Sequence, residues 1–96
     1  MTSRSYTKEE VRAKFLAYVR NLSQYWSTLP GKTPRERTDG MAFSMLTLLD
    51  GGTVLPAFAV EPKPHPDDKA YFQSQDEKWY PDDIDIAGSL HEEFYK

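Results

Sequence analysis

Two short patterns constrain this chain more than anything else in it. Thr7-Lys8-Glu9-Glu10 and Thr33-Pro34-Arg35-Glu36 both read Thr-x-x-Glu. In such a box the Thr hydroxyl accepts from the backbone N–H three residues on, and the Glu carboxylate returns to the Thr N–H. Each box therefore starts a helix. Tyr6 and Val11 flank the first box at the spacing of a hydrophobic staple. Pro34 suits the second, because a first helical residue needs no N–H.

Behind the first box, Val11, Phe15, Tyr18, Leu22, Tyr25 and Leu29 recur at steps of three and four, with Val19 and Trp26 beside them. That period predicts a helix over residues 7–28, closed by Pro30-Gly31. Behind the second box, Ala42, Met45, Leu46 and Leu49 share a face, and Met41, Phe43 and Leu48 widen it. This predicts a second, central helix ending near Asp50, with Gly51 or Gly52 in the left-handed closing position. Gly40 inside it costs up to ~1 kcal/mol relative to Ala. Close packing against the first helix explains it better than close approach of a ligand.

The second half reads less clearly. Thr53 to Pro62 is rich in β-branched and aromatic residues, and Ala57-Phe58-Ala59-Val60 is its firmest strand signal. Pro56 lacks a donor and belongs at an edge or a bulge. Residues 62–85 form an acidic aromatic loop punctuated by Pro62, Pro64, Pro66 and Pro81. Within it, Asp67 to Ala70 can make a helical turn, and Tyr71-Phe72-Gln73 can pair with the preceding strand. Ile84 to Lys96 reads as a short helix with the stripe Ile86, Leu90 and Phe94. The expected fold class is α+β: two antiparallel capped helices, a small antiparallel sheet and a C-terminal helix. The expected core is Phe15, Val19, Leu22, Trp26, Phe43, Met45, Leu46, Leu49, Phe58, Val60, Leu90 and Phe94.

At 96 residues the chain is one domain over 1–96, with residues 1–6 as a flexible N-terminus. Its six Tyr, five Phe and two Trp can supply much of the buried area. It has no cysteine, which excludes disulfides, thiolate nucleophiles and Cys-ligated zinc, and favours a cytoplasmic setting. No apolar run reaches the ~18 residues of a membrane span. The polar first residues do not resemble a signal peptide.

The net charge of −3 is unevenly placed. Residues 1–40 hold eight Lys/Arg and four Asp/Glu, a balance of +4; residues 41–96 hold four and eleven, a balance of −7. Either the two halves face each other in the fold or they form a bipolar surface for a partner or a second copy.

Four constellations bear on chemistry. His65-Pro66-Asp67-Asp68, with His91 or Glu92, has metal-ligating residue types, but consecutive Asp side chains point apart and a metal needs three or four converging ligands. Asp39 beside Gly40 and near Ser44 could serve as a base or a ligand clamp, although pairing with Arg37 or Arg12 is the plainer expectation. The alternative expectation is a small-ligand or metal-binding domain with weak hydrolase activity, centred on Asp39, His65, Asp67 and His91. Arg4, Lys8, Arg12, Lys14 and Arg20 on the first helix could meet phosphates, yet Glu9 and Glu10 dilute them and nucleic acid is not favoured. The fourth set is the sharpest: Asp67, Asp68, Asp76, Glu77, Asp82, Asp83 and Asp85 interleave with Trp79 and Tyr80. Trp79, Tyr80, Asp76, Glu77, Asp82 and Asp83 are the candidate partner-binding residues, against the plainer expectation of a solvated loop that carries charge for solubility. Aromatic rings give contact area and carboxylates steer a basic partner. No glycine-rich phosphate loop, nucleophile elbow or paired-His spacing occurs. The sequence therefore names no catalytic residue, no cofactor and no metal ligand.

Thr38-Asp39-Gly40-x-Ala42-Phe43-Ser44-x-Leu46 followed by Leu49-Asp50-Gly51, then Trp79-Tyr80-Pro81 and the segment Ile86 to Lys96 ending Leu90-His91-Glu92-Glu93-Phe94-Tyr95-Lys96, resembles small uncharacterised bacterial and prophage-encoded proteins. The resemblance covers the C-terminal two thirds. It implies a short cytoplasmic accessory protein that acts by binding an unidentified protein, and it implies no enzymatic activity. One short strand cannot make a stable sheet alone, so either residues 69–80 supply its partner or a second chain does. A homodimer in which the +4 and −7 halves attract is a further expectation.

Overall fold

The structure is a computed structural model describing residues 4–96. Its elements are α1 (Lys8–Thr28), α2 (Pro34–Asp50), α3 (Asp68–Ser74) and α4 (Leu90–Glu93). Both capping boxes form: Glu10 N–H donates to Thr7 Oγ1 at 3.1 Å and Thr7 N–H to Glu10 Oε1 at 2.9 Å, and Glu36 N–H and Thr33 N–H repeat the exchange at 3.1 and 2.9 Å. The Glu36 carboxyl is held below its usual pKa, chiefly by the Thr33 backbone N–H. Arg4 joins Glu10 at 3.2 Å. The expected staple is replaced by a cation–π contact, since Tyr6 stays exposed with the Lys14 ammonium 5.2 Å from its ring centroid. The remaining residues of the expected flexible terminus, 1–3, lie outside the described residues.

The short link at Leu29–Thr33 turns α2 back along α1, and the two pack together. Arg37 Nη2 donates to the Leu29 carbonyl at 2.9 Å, which satisfies an orphan acceptor at the end of α1. Gly40 is buried, and a Cβ added there would overlap the six-membered ring of Trp26. The Trp26 Nε1–H donates to Ser44 Oγ at 2.9 Å one turn further along α2. Gly40 and Ser44 thus form a notch for one indole.

Gly51 closes α2 with φ 88°; its N–H donates to the Leu48 carbonyl at 3.2 Å, and Gly52 N–H to the Thr47 carbonyl at 3.0 Å. This is the Schellman arrangement, which needs the left-handed conformation that glycine adopts without strain.

The expected sheet does not exist: the described residues are helical, with no strand. The α+β expectation is therefore wrong. A strand needs a ladder of pairing partners, and three N–H groups within residues 53–60 donate elsewhere. Leu55 N–H donates to Thr53 Oγ1 at 3.1 Å, Phe58 N–H to the Leu49 carbonyl at the end of α2 at 2.9 Å, and Val60 N–H to the Asp85 carboxylate at 2.8 Å. Pro56 has none to give. Tyr71, Phe72 and Gln73, the expected pairing segment, lie inside α3. The expected helix from Ile84 shrinks to α4. Gly88 and Ser89 take φ 101° and 58°, so the chain before Leu90 cannot be helical, and Ile86 is exposed.

The core is thinner than expected. Among the described residues only Leu48 (0% exposed) and Leu55 (7%) are buried apolar side chains. All twelve residues of the expected core, Leu46 included, are half-buried. Phe58 reaches α1 through an edge contact with Phe15, centroids 5.3 Å apart.

Candidate functional site

The residues between Glu61 and Ile84 form an arm. Every hydrogen bond found within it is local, from Asp67 N–H to His65 Nδ1 at one end to Glu77 N–H on the Phe72 carbonyl at the other. Its helix, α3, packs on none of the other three. At the neck, Ile86 N–H donates to the Val60 carbonyl at 2.9 Å, and one Asp85 carboxylate oxygen accepts from Val60 N–H at 2.8 Å and from Ala87 N–H at 2.9 Å. Those donors, Val60 first and then Ala87, hold the Asp85 carboxyl below its ordinary pKa.

Four rings organise the arm. Tyr71 and Phe72 (6.3 Å between centroids), Phe72 and Trp79 (5.3 Å), and Trp79 and Tyr80 (5.8 Å) meet edge to face in one continuous row. Such pairs stabilise by roughly 0.5–1.5 kcal/mol beyond their area. Pro62 and Pro64 border the row. Beside it lies a groove of about 600 Å³ lined by Trp79, Tyr80, Pro81, Asp82, Asp83 and Glu61, with Lys63 and Lys69 on the same rim. The structure thus puts Trp79, Tyr80, Asp82 and Asp83 on one concavity. Asp76 and Glu77 lie on the exposed turn after α3, outside that groove. Asp76 and Asp83 take φ 56° and 59°, a left-handed conformation that Asp tolerates better than most residues.

The alternative set is not assembled. Asp39 accepts from Arg35 Nε at 3.1 Å through both carboxylate oxygens, so its partner is one turn back rather than Arg37 or Arg12. His65 and Asp67 face each other only across a local turn, 3.7 Å apart. His91 meets Asp50 instead. Asp39 and Asp50 are eleven residues apart on α2, about 16 Å along its axis. Among the described residues no three His, Cys, Asp or Glu converge to hold a metal.

The Asp50–His91 contact is the polar site that sequence reasoning missed. Asp50 Oδ2 accepts from His91 N–H at 2.8 Å and lies 2.5 Å from His91 Nδ1; Oδ1 accepts from Gly88 N–H at 3.2 Å. The Asp50 side chain is 4% exposed and that of His91 27%. Burial pushes the Asp50 carboxyl up, but hydrogen bonds from His91, Leu90 and Gly88 outweigh it and hold the pKa at about 2. Phe43 sets its ring edge-on to the imidazole at 5.5 Å and lies 5.6 Å from Tyr95. Among the described residues the side-chain partner of His91 is Asp50. The geometry of the pair is that of a clasp fastening the C-terminal segment to α2. One signal was readable: an acidic residue in the last turn of α2, where the helix dipole disfavours it.

No protein-family model, curated protein or solved structure matches the chain. No helix among the described residues is long and apolar enough to cross a membrane.

Proposed function

We propose that this chain is a non-enzymatic accessory protein that binds a basic segment of a partner protein in the aromatic groove of its arm. One observation carries the reading: the arm builds a shaped, ring-lined concavity while making no helix contact that the body needs. The chemistry fits an arginine- or lysine-bearing partner. Residues 61–85 carry eight carboxylates against three lysines. Trp79 and Tyr80 line the groove with aromatic surface suited to a cation, and Asp82 and Asp83 supply carboxylate acceptors beside them. A bacterial, prophage-encoded origin and a cytoplasmic setting belong to the same proposal and rest on the resemblance of the motif residues.

The test is quantitative capture from a bacterial lysate by the immobilised chain, its Trp79→Ala variant and its Asp82→Asn/Asp83→Asn variant. The reading expects at least one protein retained by the parent and lost from both variants, with retention falling as salt rises. Identical capture by all three would remove the groove as a binding surface.

A further inference from the structure

The charge division along the sequence is not neutralised within the chain. The basic residues of α1 and the acidic arm do not meet, because α3 packs on no other helix and the arm's hydrogen bonds are its own. Arg12, Leu16 and Arg20 lie at four-residue spacing on α1, all exposed. They form a stripe about 12 Å long on one helix face. Among the described residues neither arginine has a carboxylate partner. The chain also exposes more surface than its mass requires. Its accessible area is 7916 Å², where a folded monomer of this mass exposes about 5,700 Å². Its radius of gyration is 17.7 Å, against about 12–13 Å for a compact chain of this length. The excess exceeds the ~800 Å² that each partner contributes to a stable interface.

Resting on the binding role argued above, we infer that the basic segment seated in the arm's groove is the Arg12-Leu16-Arg20 stripe of a second copy of this chain. The contact is reciprocal: each arm covers the α1 of the other copy, so one two-fold axis generates both contacts and leaves no open end. Arg12 and Arg20 bring guanidinium planes to Trp79 and Tyr80 and their N–H groups to Asp82 and Asp83, while Leu16 covers the ring edges between them. Lys63 and Lys69 also line the groove, and Glu61, Asp82 and Asp83 outnumber them.

Charge reversal in two halves tests this on the full chain. One variant carries Arg12→Glu and Arg20→Glu; the other carries Asp82→Arg and Asp83→Arg. All four positions are exposed, and far-UV circular dichroism verifies that both variants keep their helices. Sedimentation in low salt is expected to show dimer for the parent and to raise the dimer dissociation constant at least about tenfold for each variant alone. A one-to-one mixture of the two restores the dimer, because the unaltered acidic arm of the first variant meets the unaltered basic α1 of the second, and the reversed arm of the second meets the reversed α1 of the first. A parent that stays monomeric in low salt at every concentration overturns the inference. So does a dimer indifferent to both reversals, or a mixture that remains monomeric. A monomer that still captures a protein through Trp79 would overturn self-association and leave the binding role standing.

Discussion

An aspartate in the last turn of a helix sits against the negative end of the helix dipole, so Asp50 begins from an unfavourable place. Hydrogen bonds from three residues, His91, Leu90 and Gly88, reverse this and draw its pKa from 3.8 to about 2. The sign of the pH effect follows. A depressed carboxylate stabilises fully above its unfolded pKa, near 4, and that stabilisation is lost as pH falls through about 2. Asp50→Asn is therefore expected to be less stable than the parent at neutral pH, with the gap closing between pH 4 and 2. Urea midpoints at several pH values measure it, and a gap constant down to pH 2 would contradict the clasp. Gly40 gives a second residue-scale test. Alanine gains up to ~1 kcal/mol of helix propensity, but its Cβ collides with Trp26. Gly40→Ala should cost about 1–3 kcal/mol, read from the thermal midpoint; a stabilised variant would mean the notch is not closed. Both sites lie within the motif that carries the resemblance. The sequence showed that Gly40 needed a reason, and packing against α1 supplies it. It singled out His91 but not the partner, because 41 residues separate His91 from Asp50 and no spacing rule spans that distance.

The helices that open with a capping box were legible because their signals are local: box, period and stop residue all lie within one element. The sheet was misread because strand propensity describes a residue's fit to a pleated surface and not whether a partner strand exists. Residues 53–60 have the composition of a strand, and their N–H groups cap α2 and reach Asp85. The core was misread for a related reason. An apolar stripe marks the side of a helix that faces inward, but depth depends on what covers it. Leu48, which only seemed to widen the face of α2, is the fully buried residue, while Leu46 is half-buried. Leu48→Ala should cost about 2–5 kcal/mol, and Leu46→Ala distinctly less. Denaturation midpoints of the two variants compare them directly. An equal or larger loss at Leu46 would place the centre of packing elsewhere on α2.

At the scale of the whole molecule, the chain divides its labour between a helical body and an arm. The body is fastened by the Trp26 notch, the Gly51 closure and the Asp50–His91 clasp. The arm is held at the neck by Val60, Asp85 and Ile86 and stiffened by its own row of rings. The acidic aromatic character of residues 62–85 was readable from composition, and so was the charge imbalance. That the basic residues of α1 and the acidic arm do not meet was not readable, since it depends on where the arm points. The central claim is that the rings of the arm serve a partner and not the body. The measurement is the helical melting midpoint of a Phe72→Ala/Trp79→Ala variant in high salt, where association is screened. The account predicts a midpoint within about 4 °C of the parent, the shift expected for a loss below about 1 kcal/mol in a domain of this size. A drop as large as that of Leu48→Ala would show that the rings belong to the core and contradict the account.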